Sequence, residues 1–500
     1  MKSNTSLRKL RRLFSRRNSI DEKGGWHGTA LQTAAYHGHE GTVRLLLEKG
    51  SNFNVGGYYG TALQVAASQG HQEVVRILVY WKGANVNASE GERNGTALQE
   101  AAYNGHQGVV ELLLNNKANV NAPGGRQTGT ALQAAARGGH IGIIQLLLKQ
   151  EANVNAEGGR KTGTALQAAA YQGNQDIVLL LLTRQAHVNA PGGRKTGTAL
   201  QAAASQGHRG IVELLLKNKA EVNAVGGVKT GTALQEAAAN GGQATVRLLL
   251  KHGANVNAEA GMTKGTPLQE AAFHGHQAIV QLLMKKEANV NAPGRSPYGT
   301  AMQRAAYRGH EGIVRLLLDG GAKVNVANRK DTPSVVQGTA ANGQEALMRL
   351  LLDNGGDVND VGGFLGTALQ AAISRGHEGM VRLLLDEGAD VNATSKSNLW
   401  VPLQLAAHNG SERIVRLLLA TERAKVNATG KGNWSAVDMA AHKGNEGIVG
   451  LLLGNGAKLN PSCTLPAPDP FSEVKGFVDW LNEQKARIES PRPNVPRSSA

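Results

Sequence analysis

The string Gly163-Thr164-Ala165-Leu166-Gln167-Ala168-Ala169-Ala170 returns almost letter for letter along the chain. G-T-A-L-Q begins at Gly28, Gly60, Gly95, Gly129, Gly163, Gly197, Gly231 and Gly366, and looser copies stand at Gly265, Gly299, Ser334, Val401 and Ser435, thirteen repeats in all. Counted from the Thr164 position, the steps are 32, 35, then 34 seven times, then 33, 34 and 34 residues. A period of this length means a stacked array in which each repeat contacts mainly its neighbours, so the 500 residues are expected to form one elongated domain with two tails.

Each repeat reads as two short helices. Thr164 supplies an N-cap oxygen, and Gln167, three positions on, can reach back to the N-cap amide as a capping box. Only Asp438 replaces the Gln, and only Val401 lacks the hydroxyl. Leu166, Ala169 and Ala170 recur at i, i+3 and i+4, and Gly173 ends the helix with a left-handed backbone. The second helix follows over 140–149, where Ile143, Ile144, Leu147 and Leu148 form a stripe too wide for one neighbour. Full burial of each Leu in the recurring Leu-Leu-Leu triplet is worth ~1.5–3 kcal/mol. Helices this short are marginal alone, so stacking must hold them. Residues 152–159, rich in Asn and Gly, open a protruding hairpin-like loop. Small Ala side chains on the first helices and Leu on the second predict a curved stack with the first helices on its concave side.

The array, matched at Thr266-Pro267-Leu268 with Ala271, Ala272, Gly275, His276, Ile279, Val280, Leu282 and Leu283, resembles the ankyrin repeat family over residues 25–460. The resemblance implies an all-α solenoid of about thirteen helix-turn-helix units, and a non-catalytic scaffold that binds a protein partner through its concave face and loop tips. Departures from the family pattern are regular: Ala mostly replaces Pro, and Gln replaces His, in T-P-L-H. The A-L-Q-A-A-A variant with G-G-x-x-G loops looks like arrays of filamentous fungi, some of which form the sensing end of larger NTPase receptors, and the resemblance implies that role as an alternative for this chain.

Catalytic and metal motifs fail on their chemistry. Gly158 and Gly163 have phosphate-loop spacing, but Thr164 and Ala165 follow where Lys and Ser or Thr are needed. Eight of the 15 histidines, among them His39, His106, His140 and His310, occupy one repeat position, one per repeat, which suits packing and loop hydrogen bonding better than a zinc site. His37 and His39 form a local pair, yet two imidazoles do not complete a site. The expectation is a non-enzyme without cofactor or metal.

Binding residues are sought where the repeat does not need them for packing. Seven residues after the capping Thr stand Tyr36, Tyr103, Tyr171, Phe273 and Tyr307, five of only fourteen Phe and Tyr, which points to a partner-binding face; the alternative is that each ring covers its own loop. Arg126, Arg160, Lys161, Arg194, Lys195 and Lys229 fall in nearly one register of four consecutive loops and would line up as a basic stripe, or stay solvated loop tips. Beside the tyrosines such a stripe would receive an acidic peptide, or less readily phosphates with stacked bases, so a nucleic-acid-associated role stays open.

Net charge is +16, with eight Lys or Arg against Asp21 and Glu22 in residues 1–24. That arm reads as disordered or nuclear-addressing, with membrane-surface or organelle targeting and phosphorylation at Ser19 as alternatives. The lone Cys463 lies outside the repeats and fits a reducing compartment, so a cytoplasmic or nuclear, monomeric protein is expected; no 18-residue apolar run occurs. Within 461–500, Asp469 and Pro470 start an amphipathic helix over 470–489 that would cap the last repeat. The repeat near 328–345 is irregular, with Gly338 inside its first helix. Glycine there costs ~0.5–1 kcal/mol relative to Ala. Amide exchange should therefore open residues 334–345 earlier than the flanking repeats, and uniform protection would rule such a soft joint out.

Overall fold

The computed structural model describes residues 20–22, 28–81, 83–89, 95–124, 129–157, 163–192, 197–226, 230–259, 264–294, 299–326, 333–361, 366–394, 400–429 and 434–458. Among them are twenty-six helices, two per repeat, and no strand beyond an isolated bridge between Gly57 and Gly60. The chain divides into two compact parts, Met1–Glu270 and Ala271–Ala500. The N-terminal arm and the helix expected over 470–489 fall outside the described residues, apart from residues 20–22.

The first helices are as short as the Gly-to-Gly spacing predicts, Ala165–Gln172 being typical. The Thr164 N–H donates to Gln167 Oε1 (2.8 Å), and the Gln167 N–H donates to Thr164 Oγ1 (3.3 Å). Gly173 closes the helix at φ 86°. A side chain there would also strike the His208 ring of the next repeat, its Cβ falling 2.6 Å from Cε1. At Val401, which has no hydroxyl, only the Gln404 half of the box remains, Val401 N–H to Oε1 at 2.9 Å.

The same glutamine also ties one repeat to the next. In the N-terminal part Gln133 Nε2 donates to the Ala156 carbonyl (2.8 Å), Gln167 to Ala190 (2.8 Å) and Gln201 to Ala224 (2.7 Å). In the C-terminal part Gln370 reaches the Trp400 carbonyl (2.7 Å) and Gln404 that of Trp434 (2.6 Å). This explains the Gly of G-T-A-L-Q. Gly197 sits at φ 62°, and a Cβ on it would lie 2.2 Å from Gln201 Oε1.

Two further ladders run along each part. Asn121 Nδ2 donates to the Glu151 carbonyl (3.2 Å) while its Oδ1 accepts from the Asn153 N–H (2.8 Å). Asn155 repeats both bonds, to Gln185 (3.1 Å) and from His187 (2.7 Å). Asp21 starts this ladder by accepting from the Asn52 N–H (2.9 Å). The ladder carbonyls belong to residues with a left-handed backbone, which in four successive repeats are not Gly but Lys117, Glu151, Gln185 and Lys219. The histidines form the third ladder. Nε2 of His71, His106, His140 and His208 lies 2.9–3.2 Å from the carbonyls of Tyr36, Ser68, Tyr103 and Tyr171 in the preceding repeat. Since a carbonyl can only accept, each of these rings is held with its proton on Nε2.

Packing is asymmetric, as the Ala and Leu faces predict. Within each part successive first helices meet over much of their length, and successive second helices touch at few places. The leucine triplet contributes less than full burial of all three would give. Leu147 is completely buried, but Leu146 and Leu148 on either side are only half-buried, because one face of the second helix stays in water. Gly338 lies in a regular capped helix, Val335–Ala341, and a Cβ there would meet the Tyr307 ring at 3.5 Å, an ordinary contact.

Gln201→Ala removes a buried group with bonds on both sides of a repeat boundary. The expected cost is about 1–3 kcal/mol, read as about 5- to 150-fold faster amide exchange in both repeats it joins. Faster exchange confined to the repeat that carries Gln201, with the next repeat at the wild-type rate, would show that the glutamine only caps its own helix.

Candidate functional site

Of the five aromatic positions, Tyr103 and Tyr171 are exposed, each with 42 % of its surface accessible, and Tyr36, Phe273 and Tyr307 are half-buried. The half-buried rings have neighbours of their own. Tyr36 stands edge-on to His37 (5.1 Å between centroids), Phe273 lies under the Arg308 guanidinium (4.9 Å), and Tyr307 lies against Gly338. Tyr36 and Tyr103 come together in one cleft of about 300 Å³ in the N-terminal part, whose lining does not include Tyr171. The six predicted basic residues, Arg126, Arg160, Lys161, Arg194, Lys195 and Lys229, lie outside the described residues.

Three consecutive repeats build the cleft. The helix Ala30–Tyr36 supplies Tyr36, the helix Ala62–Gln69 supplies Val65, Ser68 and Gln69, and the helix Ala97–Asn104 supplies Glu100, Tyr103 and Asn104. Tyr59 comes from a loop. Gly57 and Gly60 exchange both backbone hydrogen bonds (3.0 and 3.1 Å) around Tyr58 and Tyr59, a two-residue hairpin turn. Gln32 Nε2 pins that hairpin through the carbonyls of Val55 (2.9 Å) and Gly60 (2.6 Å). The helix ends carrying Tyr36, Ser68 and Tyr103 are each held by a histidine of the following repeat, so the walls are fixed by the ladder already described.

Among the described residues Glu100 is the one charged residue of the lining. It is half-buried, and burial raises its carboxyl above the usual range although a hydrogen bond from the Gly95 N–H opposes the shift. Glu236 and Glu270 occupy the same repeat position and accept from the N–H groups of Gly231 (3.1 Å) and Gly265 (2.7 Å). Both are buried, and Lys264 Nζ lies 3.4 Å from one and 3.9 Å from the other. Sequence reasoning missed Glu100 and Tyr59. Their signals were the Glu of T-A-L-Q-E, where other repeats mostly carry an apolar or small residue, and the Tyr58-Tyr59 doublet in a loop otherwise rich in Gly.

His37 and His39 stack at 5.7 Å, and among the described residues no group of His, Cys, Asp and Glu is placed to hold a metal. No helix among them is long and apolar enough to cross a membrane.

A family model agrees with this geometry. The model of the family described as Ankyrin repeats (3 copies) matches in overlapping stretches from residue 2 to residue 463. The chain belongs to the ankyrin-repeat family. A solved structure, the ankyrin repeat domain of human ASB11, is similar at 28 % identity over 45 % of this chain and 99 % of that one, with a TM-score of 0.40. No curated protein matches the chain. Ankyrin repeats are generally protein-interaction modules, and the fold is typically non-catalytic.

Because the folded pKa of Glu100 lies above its unfolded value, the group favours the fold at acid pH, and that contribution is lost as pH rises through the folded value. Glu100→Gln keeps an acceptor for the Gly95 N–H and abolishes the titration. Its melting temperature relative to the wild type should therefore climb as pH rises above the ordinary glutamate range, and a difference that does not change with pH would refute the assignment.

Proposed function

We propose that the protein is a non-catalytic interaction scaffold that holds a protein partner against the ends of its first helices and the adjoining loop tips. The observation that carries this reading is the cleft of Tyr36, Tyr59 and Tyr103, three large rings at one place in a chain with 4 % aromatic residues. Tyrosine buries much area with two rotatable torsions, which suits it to recognition. The rings are offered by helix ends and a hairpin that hydrogen bonds already fix, so little ordering has to accompany binding. Tyr171, exposed at the same position two repeats further on, extends the surface.

Capture of partners by the full chain, compared with Tyr103→Ala and Tyr171→Ala, tests the assignment. A ring at the centre of the contact should weaken binding by about 2 kcal/mol, roughly thirtyfold, when truncated. The same partners bound with the same affinity by the doubly substituted chain would place the contact elsewhere.

A further inference from the structure

We propose that the cleft of Tyr36, Tyr59 and Tyr103 is a pocket for a cationic side chain, arginine or lysine, of the protein partner, with the Glu100 carboxylate as its counter-charge. This deepens the scaffold reading and rests on it.

The first ground is charge. The chain carries 54 Lys and Arg against 38 Asp and Glu, yet among the described residues the lining of the cleft includes one acid and no base. The second is the contrast among three glutamates in one repeat position. Glu236 and Glu270 share Lys264, which precedes Gly265, so that one lysine serves the repeat before it and its own. The two corresponding places around Glu100 hold Asn94 and Thr128 in the sequence. Among the described residues Glu100 forms no ion pair, and its carboxylate faces an open cleft instead of a lysine. With no counter-ion among the described residues, the half-buried Glu100 carboxylate is the member of the set that gains most from an incoming cation.

The third ground is the rings. An aromatic face attracts a cation held over it, and more strongly when the cation leaves water. The chain already makes this contact at the same repeat position in its C-terminal part, where the Arg308 guanidinium lies 4.9 Å from the centre of the Phe273 ring. At the cleft, Arg137 of the following repeat interacts with Tyr103 but does not line the cavity. Three phenol rings, one carboxylate and the polar ends of Ser68, Gln69 and Asn104 suit an arginine or lysine head with its alkyl stem against Val65, and would leave a partner carboxylate facing Glu100 with nothing to offset the repulsion.

The test is an NMR titration of the full chain, ring-labelled with carbon-13 at tyrosine, using three probes: acetyl-Gly-Arg-Gly-amide, acetyl-Gly-Lys-Gly-amide and acetyl-Gly-Glu-Gly-amide. The arginine and lysine probes should shift the signals of Tyr36, Tyr59 and Tyr103 and leave Tyr171 in place, and the glutamate probe should shift none of them. Glu100→Gln, which retains the Gly95 hydrogen bond, should weaken the cationic probes about tenfold or more. Tyr59→Ala, at a loop tip, provides a second variant whose folding does not depend on Glu100. Equal binding of the cationic probes to wild type and Glu100→Gln, or equal shifts from the glutamate probe, would overturn the proposal. Partner capture that is lost in Tyr103→Ala but undiminished in Glu100→Gln would overturn it while leaving the scaffold reading intact.

Discussion

A buried glutamine in twelve of the thirteen repeats carries the architecture. Its carbonyl oxygen accepts from the N-cap amide of its own helix, and its amide nitrogen donates to a backbone carbonyl in the following loop, as Gln167 does between Thr164 and Ala190. The group is almost wholly inaccessible in repeat after repeat, so both of its ends must be satisfied by protein. The requirement propagates into the sequence around it. The Gly before the Thr leaves room for the glutamine oxygen, the Thr returns the capping bond, and the small residues after it let the next first helix come close enough for the amide to reach across.

The asparagine and histidine ladders apply the same economy to the other edges of the repeat. Each uses a side chain to satisfy backbone groups that a helix end or a tight turn would leave without partners. Because the satisfied group lies in the adjoining repeat, helix capping and repeat stacking become one interaction. This is how helices of seven to nine residues persist in an aromatic-poor chain. At the cleft the same bonds do a second job, since Gln32 fixes the Tyr59 hairpin and His71, His106 and His140 fix the helix ends beside it.

What could be read in the sequence follows the range of the interactions. The capping boxes, the glycine stops and the two-helix repeat are local and were legible from Thr164, Gln167 and Gly173 alone. The reach of Gln167 to Ala190 was not, because its partner is a backbone carbonyl 23 residues away that no side-chain identity marks. The burial of the leucine triplet was overestimated, since a periodic stripe gives the width of a face but not how much of it a neighbour covers. At the candidate site, the repeat register singled out Tyr36 and Tyr103 but could not tell them from Phe273 and Tyr307, whose contacts with Arg308 and Gly338 depend on the neighbouring repeat. Tyr59 and Glu100 escaped because they occupy other registers, and only the stacking of three repeats brings them to the same cleft.

The asparagine ladder has a consequence for how such a chain can change. Asn121 receives and gives the same two bonds that Asn155 receives and gives one repeat later. A block of one period removed or copied at this ladder would therefore leave two new ends that find the same donors and acceptors that the old ones left. Gain or loss of a repeat then leaves the ladder's bonding pattern unchanged, and a repeat gained or lost between Tyr103 and Tyr171 alters their spacing. The ladder thus sets the pitch of the array and leaves its length free, because no bond in it depends on how many repeats stand on either side.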